Sequence, residues 1–433
     1  MTSMHWSETS LIIVGAIFVL LAMGLPVAVA LGLVGVAASF LFVGHPGIIA
    51  YVAWDLSNSF IMSAIPLFIF MGQVMLRSGV SSRLYSGSGA LLGRTRGGLL
   101  QTNIVACGLF ATVSGSSVAT AATVGSMAIP EMERLRYDER LSLGSIAAGG
   151  TLGILIPPSS AFIIYGVIAE QSIGELFIAG ILPGLLLMLM FMGYIWLRVV
   201  LSPGLAPPAD VPAGRERIRL VLAMWPIFVV MFVVLAGIYL GIMTPSEAAA
   251  IGSLLSLIFA ALFRRLTLPV LVDCLMSAVR TTSMLLFIMV GAGILGGTMG
   301  MLRIPESLAA WVLGLEVQPF AILLSIYLMY LVLGCFIDTV SMIVISVPFV
   351  LPVVTGLGYD PIWFGVVMVV LVEMALITPP VGLNVYTIQG LRPGKPIGDV
   401  FRGALPFLAV MVVALGMLTL FPAIATWLPA TMR

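Results

Sequence analysis

Long apolar runs separated by short polar, glycine- or proline-containing loops succeed one another along the chain. A helix needs roughly 20 apolar residues to cross the hydrocarbon of a bilayer. Runs of that order fall at 10–23, 26–43, 57–76, 141–170, 176–198, 220–243, 247–263, 281–301, 362–391 and 405–428. The first is short, with a soft edge at Gly24 to Pro26. Two further stretches, 99–130 and 318–354, are interrupted midway by polar or glycine-containing sequence. In the first, "VSGSSVATAATVG" (113–125) places small hydroxylated residues and glycines where hydrocarbon-soluble helix would be expected. The pattern predicts an all-α chain with no strand-forming alternation.

Composition fixes the solvent. Hydrophobic residues make up 61% of the 433 positions, charged residues 9%, and the mean hydropathy is +1.20, so the chain is read as a polytopic membrane protein. The net charge of +1 carries no information about partners, since in a bilayer protein the placement of charges in loops matters. Nothing points to nucleic acid. Cys107, Cys274 and Cys335 have neither paired nor metal-ligand spacing and are read as packing residues. The N-terminus lacks a basic region followed by a small-residue cleavage site, which predicts no cleaved signal.

Charge placement orients the spans. If the two interrupted stretches are re-entrant hairpins, entering and leaving by one face, then 17 of the 19 Lys and Arg residues fall on one side and only Arg303 and Arg433 on the other. That asymmetry makes the first side cytoplasmic. A simple crossing at either stretch would swap every later loop and abolish it.

The strongest internal signal is self-similarity at one offset. Pro130, Tyr137, Asp138, Pro157 and Pro158 recur as Pro352, Tyr359, Asp360, Pro379 and Pro380, each 222 positions later without a gap. Each copy has a hairpin, a short Tyr-Asp loop, and a segment of about 30 residues broken near its middle by Pro-Pro. An odd number of crossings separates the hairpins, so the copies are expected to have opposite topology. Inverted repeats with broken helices are a construction of secondary transporters, whose sites lie where unwound segments meet near the midplane. Non-helical backbone at that depth is tolerated only where it is buried in protein or lines a watery cavity.

The hairpin tips "SGSS" (114–117) and "GCFIDT" (334–339) are each expected to meet the break that follows, "GILIPPS" (153–159) and "ALITPPVG" (375–382). Carbonyls freed there, with Ser and Thr hydroxyls beside them, suit a small hard cation, and nothing softer is present to bind a transition metal. His5 and His45 sit at loop positions away from this constellation. No Lys or Arg lies near either break, so an anionic substrate would be held by half-helix N-termini and by the charge of bound cations.

At these residues the chain resembles the large membrane subunit of tripartite ATP-independent periplasmic (TRAP) transporters. The resemblance covers essentially the whole length. It is carried by "GGLLQTNIVACGLFATVSGSSVATAATVGSMAIPEM", "YDER", "GTLGILIPPSS", "GIYLGIMTPSEAAAIG", "GCFIDTVSMIVISVPFVLPVV", "GYDPIWFG" and "LITPPVGLNVY". It implies a sodium-coupled symporter of organic acids in a bacterial inner membrane, working as an elevator with a small membrane subunit and a periplasmic binding protein. By the family pattern, one sodium ion would be held at Ser114, Gly153, Ile156 and Pro158, and a second at Gly334, Ala375, Thr378 and Val381, mostly through backbone carbonyls. Substrate contacts are implied at Ser114, Ser116, Ser159 and Asp338. Ala375 stands where many relatives have Gly, a small departure if only the carbonyl is used. The implied division is 1–98 as scaffold helices and interfacial arm, 99–200 as first-repeat transport domain, 201–317 as linker and scaffold, 318–391 as second-repeat transport domain, and 392–433 as a C-terminal scaffold helix.

Other motifs have plainer readings. "TPSE" (244–247) is a capping box at a helix start. Gly293/Gly297 and Gly296/Gly300 have the spacing of close helix packing. Asp338 at a hairpin tip is expected to serve function, with capping of the next half-helix as the bland alternative. The role of Glu373 stays open. Arginines near 77–96, 264–265 and 392–402 read as interfacial anchors of the scaffold. Rival functions are a self-sufficient sodium-dicarboxylate or citrate-type carrier and an ion channel. An enzyme is disfavoured because no nucleophile and base, paired carboxylates or metal-ligand cluster stands out.

Overall fold

Each half of the chain contains a helical hairpin followed by a helix that stops and restarts. The computed structural model describes residues 6–44, 47–208 and 212–432. His5, His45 and Arg433 lie outside them. In the first half the hairpin is α6 (Gly98–Ser114) and α7 (Ser117–Arg134), and the interrupted helix is α8 (Glu139–Leu155) and α9 (Ser160–Ile168), bent by 42°. In the second half the hairpin is α16 (Pro319–Leu333) and α17 (Thr339–Gly356), and the interrupted helix is α18 (Pro361–Ala375) and α19 (Leu383–Gly390). Ahead of the first hairpin run α1 (Trp6–Ala22), α2 (Val27–Ala38), α3 (Gly47–Asn58), α4 (Ala64–Arg77) and α5 (Val80–Leu92). Between the halves lie α10 (Ile173–Leu201), α11 (Gly214–Leu222), α12 (Trp225–Tyr239), α13 (Pro245–Leu262), α14 (Leu268–Met301) and α15 (Ile304–Leu313). The chain ends in α20 (Gly398–Leu420) and α21 (Ala423–Thr426).

Among the described residues, seven helices are long and apolar enough to cross a membrane, or eight when α8 and α9 count as one bent span. Other expected crossings, including 10–23 and 26–43, are apolar helices of at most 17 residues. α17 is long enough to cross on its own, where the sequence reading made it one limb of a re-entrant hairpin.

The repeated Asp residues do the same local work in both copies. Asp138 accepts the Leu141 N–H at 2.8 Å and Asp360 the Trp363 N–H at 2.9 Å, each capping an otherwise unpartnered donor at a helix start. The repeated tyrosines differ: Tyr137 accepts from the Leu99 N–H, whereas Tyr359 stacks on Trp363. Thr244 and Glu247 form the expected capping box.

Small residues set how closely helices approach. α2 crosses α14 where a Cβ on Gly35 would stand 2.7 Å from the Leu295 nitrogen, and one on Gly291 2.5 Å from the Ala28 carbonyl oxygen. Of the two GxxxG pairs, Gly293 and Gly297 pack against Val52 and Ile48 of α3, while Gly296 and Gly300 face open space. Close packing within this chain therefore explains one pair and leaves the other free.

Arg392 also departs from expectation. Rather than marking a scaffold anchor at an interface, its side chain is 2% exposed and pairs with Glu139, tying the chain after α19 to the first turn of α8. Nearby, Arg140 pairs with Asp399 at 3.3 Å. Deeper in the bundle α8 and α20 touch backbone to backbone, since a Cβ on Gly144 would collide with the Gly403 carbonyl and one on Gly403 with that of Arg140.

That contact gives a signed prediction. Gly144→Ala should lower stability by about 2 kcal/mol, because the backbone facing it cannot rotate away. Gly416→Ala on α20, where nothing lies within 4 Å, should be neutral or slightly stabilising through helix propensity. Thermal unfolding in detergent checks both, and equal shifts would refute the packing argument.

Candidate functional site

The two breaks follow from elementary chemistry. In a regular helix the Gly153 carbonyl would accept from residue 157 and the Ala375 carbonyl from residue 379. Both positions are proline, which has no N–H to give. Residues 156–159 and 376–382 leave the helical path at these points. The Pro157–Pro158 and Pro379–Pro380 bonds are both cis.

Each hairpin tip packs onto its own break. At the first, Ser160 Oγ donates to the Gly115 carbonyl at 3.2 Å, and Gly115 adopts the left-handed conformation with its α-carbon turned toward the Pro158 carbonyl. Gly153 lies beneath the tip: a Cβ there would stand 2.7 Å from Ser117 Cα and 2.8 Å from the Ser116 carbonyl oxygen. At the second, Gly334 lies against Ala375, and Cys335 Sγ approaches the Pro379 carbonyl at 3.4 Å.

Side-chain oxygens fill in around these carbonyls. The Ser114 and Thr120 hydroxyls are 2.7 Å apart, and Thr120 donates to the Ser116 carbonyl at 2.8 Å. Ser116 caps α7 by accepting the Ala119 N–H. Thr378 donates its hydroxyl to the Met374 carbonyl at 2.7 Å, so its side chain is engaged with the last turn of α18. Asp338 caps α17, its carboxylate accepting from the Val340 and Ser341 N–H groups and, at 2.5 Å, from the Ser341 hydroxyl.

A cavity of about 300 Å³ opens where the two tips meet. Ser114, Ser116, Pro158 and Asp338 line it, so residues that sequence reasoning drew from both halves share one wall. Ser159 does not: it is buried, caps α9 through the Phe162 N–H, and leaves Ser160 on the wall instead. Gly334, Ala375 and Val381 line a second cavity of about 200 Å³, which Asp338 also borders. Gly153 and Ile156 are buried behind the first tip. The donor set at the first break, carbonyl and hydroxyl oxygens, fits a small hard cation, and the second break offers the same kinds of oxygen with the Cys335 thiol beside the Pro379 carbonyl.

Four helices begin at the larger cavity: α7, α9, α17 and α19 present Ser117, Ser160, Thr339 and Leu383 to it. First-turn N–H groups lack helical partners and carry the positive end of the helix dipole, which favours an anion. Asp338 caps α17 with a carboxylate, whereas α7 and α9 carry neutral serine caps, Ser116 and Ser159, and α19 has its Asn384 N–H on the Leu376 carbonyl, so these three dipole ends are not neutralised by a negative charge.

The far wall was not legible in the motifs. Phe68, Gly72 and Gln73 of α4, with Thr281, Met284 and Leu285 of α14, close the cavity from outside the hairpins. Gly72 allows the approach, because a Cβ on it would stand 2.7 Å from the Val113 carbonyl oxygen at the first tip. A glycine beside glutamine in the apolar run "IFMGQVM" was the available signal.

Known proteins agree with this architecture. Residues 14–424 match the family described as tripartite ATP-independent periplasmic transporter, DctM component. The chain is 39% identical over 385 residues to the C4-dicarboxylate TRAP transporter large permease protein DctM of Pseudomonas aeruginosa, covering 88% of this chain and 89% of that one. It is 37% identical to the isethionate TRAP transporter permease protein DctMQ of Oleidesulfovibrio alaskensis, covering 95% of this chain but 65% of that longer one. In fold it is similar to the crystal structure of the YdaH transporter of Alcanivorax borkumensis, with a TM-score of 0.57 at 16% identity over 97% of this chain and 98% of that one. The chain thus belongs to the DctM component family of the tripartite ATP-independent periplasmic transporters, as the large permease of such a transporter.

Proposed function

We propose that this large permease carries an organic anion inward together with sodium ions, by an elevator movement of both hairpins and both broken helices, with α20 attached to them, against a frame that includes α4 and α14. The observation that carries the reading is the convergence of four helix N-termini on one cavity, with the first break on its wall and the second break on an adjoining cavity that Asp338 also borders. Three N-termini without an acidic cap suit a carboxylate or sulfonate, and the absence of Lys and Arg from the wall leaves cotransported cations to supply full positive charge. The names of the two relatives, one for C4-dicarboxylates and one for isethionate, support an organic acid as substrate class.

In this reading Ser114, Gly153, Ile156 and Pro158 hold one sodium ion and Gly334, Ala375, Thr378 and Val381 the other. The two copies stand in opposite topology, with the first Tyr-Asp loop cytoplasmic. The site pulls each tip onto its break, which makes the loaded hairpins one compact unit able to pass α4 and α14. A periplasmic binding protein delivers the substrate, and a small membrane subunit braces the static helices in the inner membrane. The DctMQ relative, which extends well beyond the matched length, is consistent with that subunit being joined to the large one in some cases.

Thermal unfolding in NaCl, KCl and choline chloride at matched ionic strength tests the coupling ion. Sodium alone should raise the midpoint, as expected of a ligand bound by the native state, with a gain of about 2.7 kcal/mol at a hundred times its dissociation constant. Thr378→Ala should weaken this response only in part, because the carbonyl stays. Gly153→Leu should nearly abolish it, since the side chain would push the first tip away. Equal responses in all three salts, with the small subunit present, would overturn sodium coupling.

Movement has its own test. Gly72→Leu thickens α4 where it packs on the first tip, its side chain meeting the Val113 carbonyl and Ser114. Receptor-dependent uptake in proteoliposomes should fall at least tenfold. Unimpaired uptake would remove α4 from the sliding surface.

A further inference from the structure

Behind the first cavity a buried polar cluster joins the two halves of the molecule. Ser117, the first residue of α7, donates its hydroxyl to Glu373 Oε1 at 2.6 Å. Glu373 lies in the last turn of α18 and is completely buried, and its Oε2 has no hydrogen-bond partner. Among the described residues no Lys or Arg pairs with this carboxylate. Asn384, in the first turn of α19, is equally buried. Its backbone N–H donates to the Leu376 carbonyl, one turn beyond Glu373, and its Oδ1 also has no partner. Gly150 of α8 lets α7 and α19 approach each other here: a Cβ there would stand 2.8 Å from Ala121 Cβ, 2.9 Å from the Asn384 amide nitrogen and 3.3 Å from the Ser117 carbonyl oxygen.

Four elements thus bring together one carboxylate, one carboxamide and a serine, with two acceptor oxygens left over and no cationic side chain. A carboxylate removed from water without a partner is among the most unfavourable arrangements a protein interior can hold. Orphaned buried acceptors add to that cost. What the cluster lacks is one unit of positive charge that several oxygens can share. A divalent ion does not fit, since it seeks more carboxylates and a larger oxygen shell, and no group of three acidic, His or Cys residues is found among the described residues.

We propose that Ser117, Glu373 and Asn384 bind one small monovalent cation, additional to the two carbonyl-rich sites at the breaks. The site couples the first hairpin, through Ser117, to the second broken helix, through Glu373 and Asn384. It goes beyond the paired-sodium reading, and its failure can be told from the failure of that reading.

The test is a sodium titration of the unfolding midpoint of the full chain, with ionic strength held by choline chloride. The dependence of stability on the logarithm of sodium concentration counts the ions released on unfolding. Glu373→Gln keeps shape and the Ser117 contact but removes the charge. It should lower the slope by one ion's share and, in sodium-free buffer, unfold at a higher temperature than wild type. That sodium-free midpoint also verifies that the variant folds. Asn384→Ala keeps the charge and should move the sodium midpoint upward about tenfold. A full wild-type slope in Glu373→Gln, including the case in which a proton neutralises the carboxylate, overturns this site alone. A flat wild-type titration overturns it together with the paired sites.

Discussion

A proline nitrogen carries no hydrogen, so Pro157 and Pro379 cannot give the Gly153 and Ala375 carbonyls their regular helical bonds in the interior of an apolar bundle, and Ala375 keeps only a turn bond from the Thr378 N–H at 3.3 Å. Such groups are tolerated at membrane depth only where other protein groups, water or ions satisfy them. Here the two hairpin tips are laid over the two breaks, and the remaining architecture serves to hold them there. Asp138 and Asp360 start the broken helices at matched points. The carbonyl clusters, the converging N-termini and the shared cavity are consequences of those missing donors.

Contact between tips and breaks depends on the smallest side chains. Gly153 lies under the first tip, Gly334 against the second break, and Gly72 lets the first tip reach α4. Where polar groups cross between the halves they do so in pairs: Ser117 to Glu373 near the cavity and Tyr165 to the Pro361 carbonyl, 2.6 Å apart, beyond it. The halves are thereby bonded to each other as well as to themselves, which keeps both tips facing one cavity.

Spans, breaks and tips were legible because each leaves a local mark. Apolar length, Pro-Pro and a run of small hydroxylated residues are visible without a partner. The cavity wall was partly legible: the family resemblance pointed to Ser114, Ser116 and Asp338, which line it, but a one-residue turn at the break puts Ser160 there in place of Ser159. Contacts made across long separations left no mark. Ser117 and Glu373 stand 256 positions apart, and neither residue type is unusual in its own neighbourhood. Arg392 misled for a related reason: an arginine in a loop looks like an interfacial anchor until its buried partner Glu139 is brought alongside it.

The glycine-on-glycine crossing of α8 and α20 bears on where any boundary between moving and standing parts can run. Two helices that meet backbone to backbone have no side-chain layer between them to shear, and here a glycine of each helix lies against the backbone of the other. Trp363 of α18 adds a second fastening, donating to the Leu418 carbonyl of α20 at 2.8 Å. A displacement of the broken helices would therefore draw the last long helix with it, and the carboxyl end of the chain would travel as a passenger. A reporter fused there would track the cargo rather than the frame.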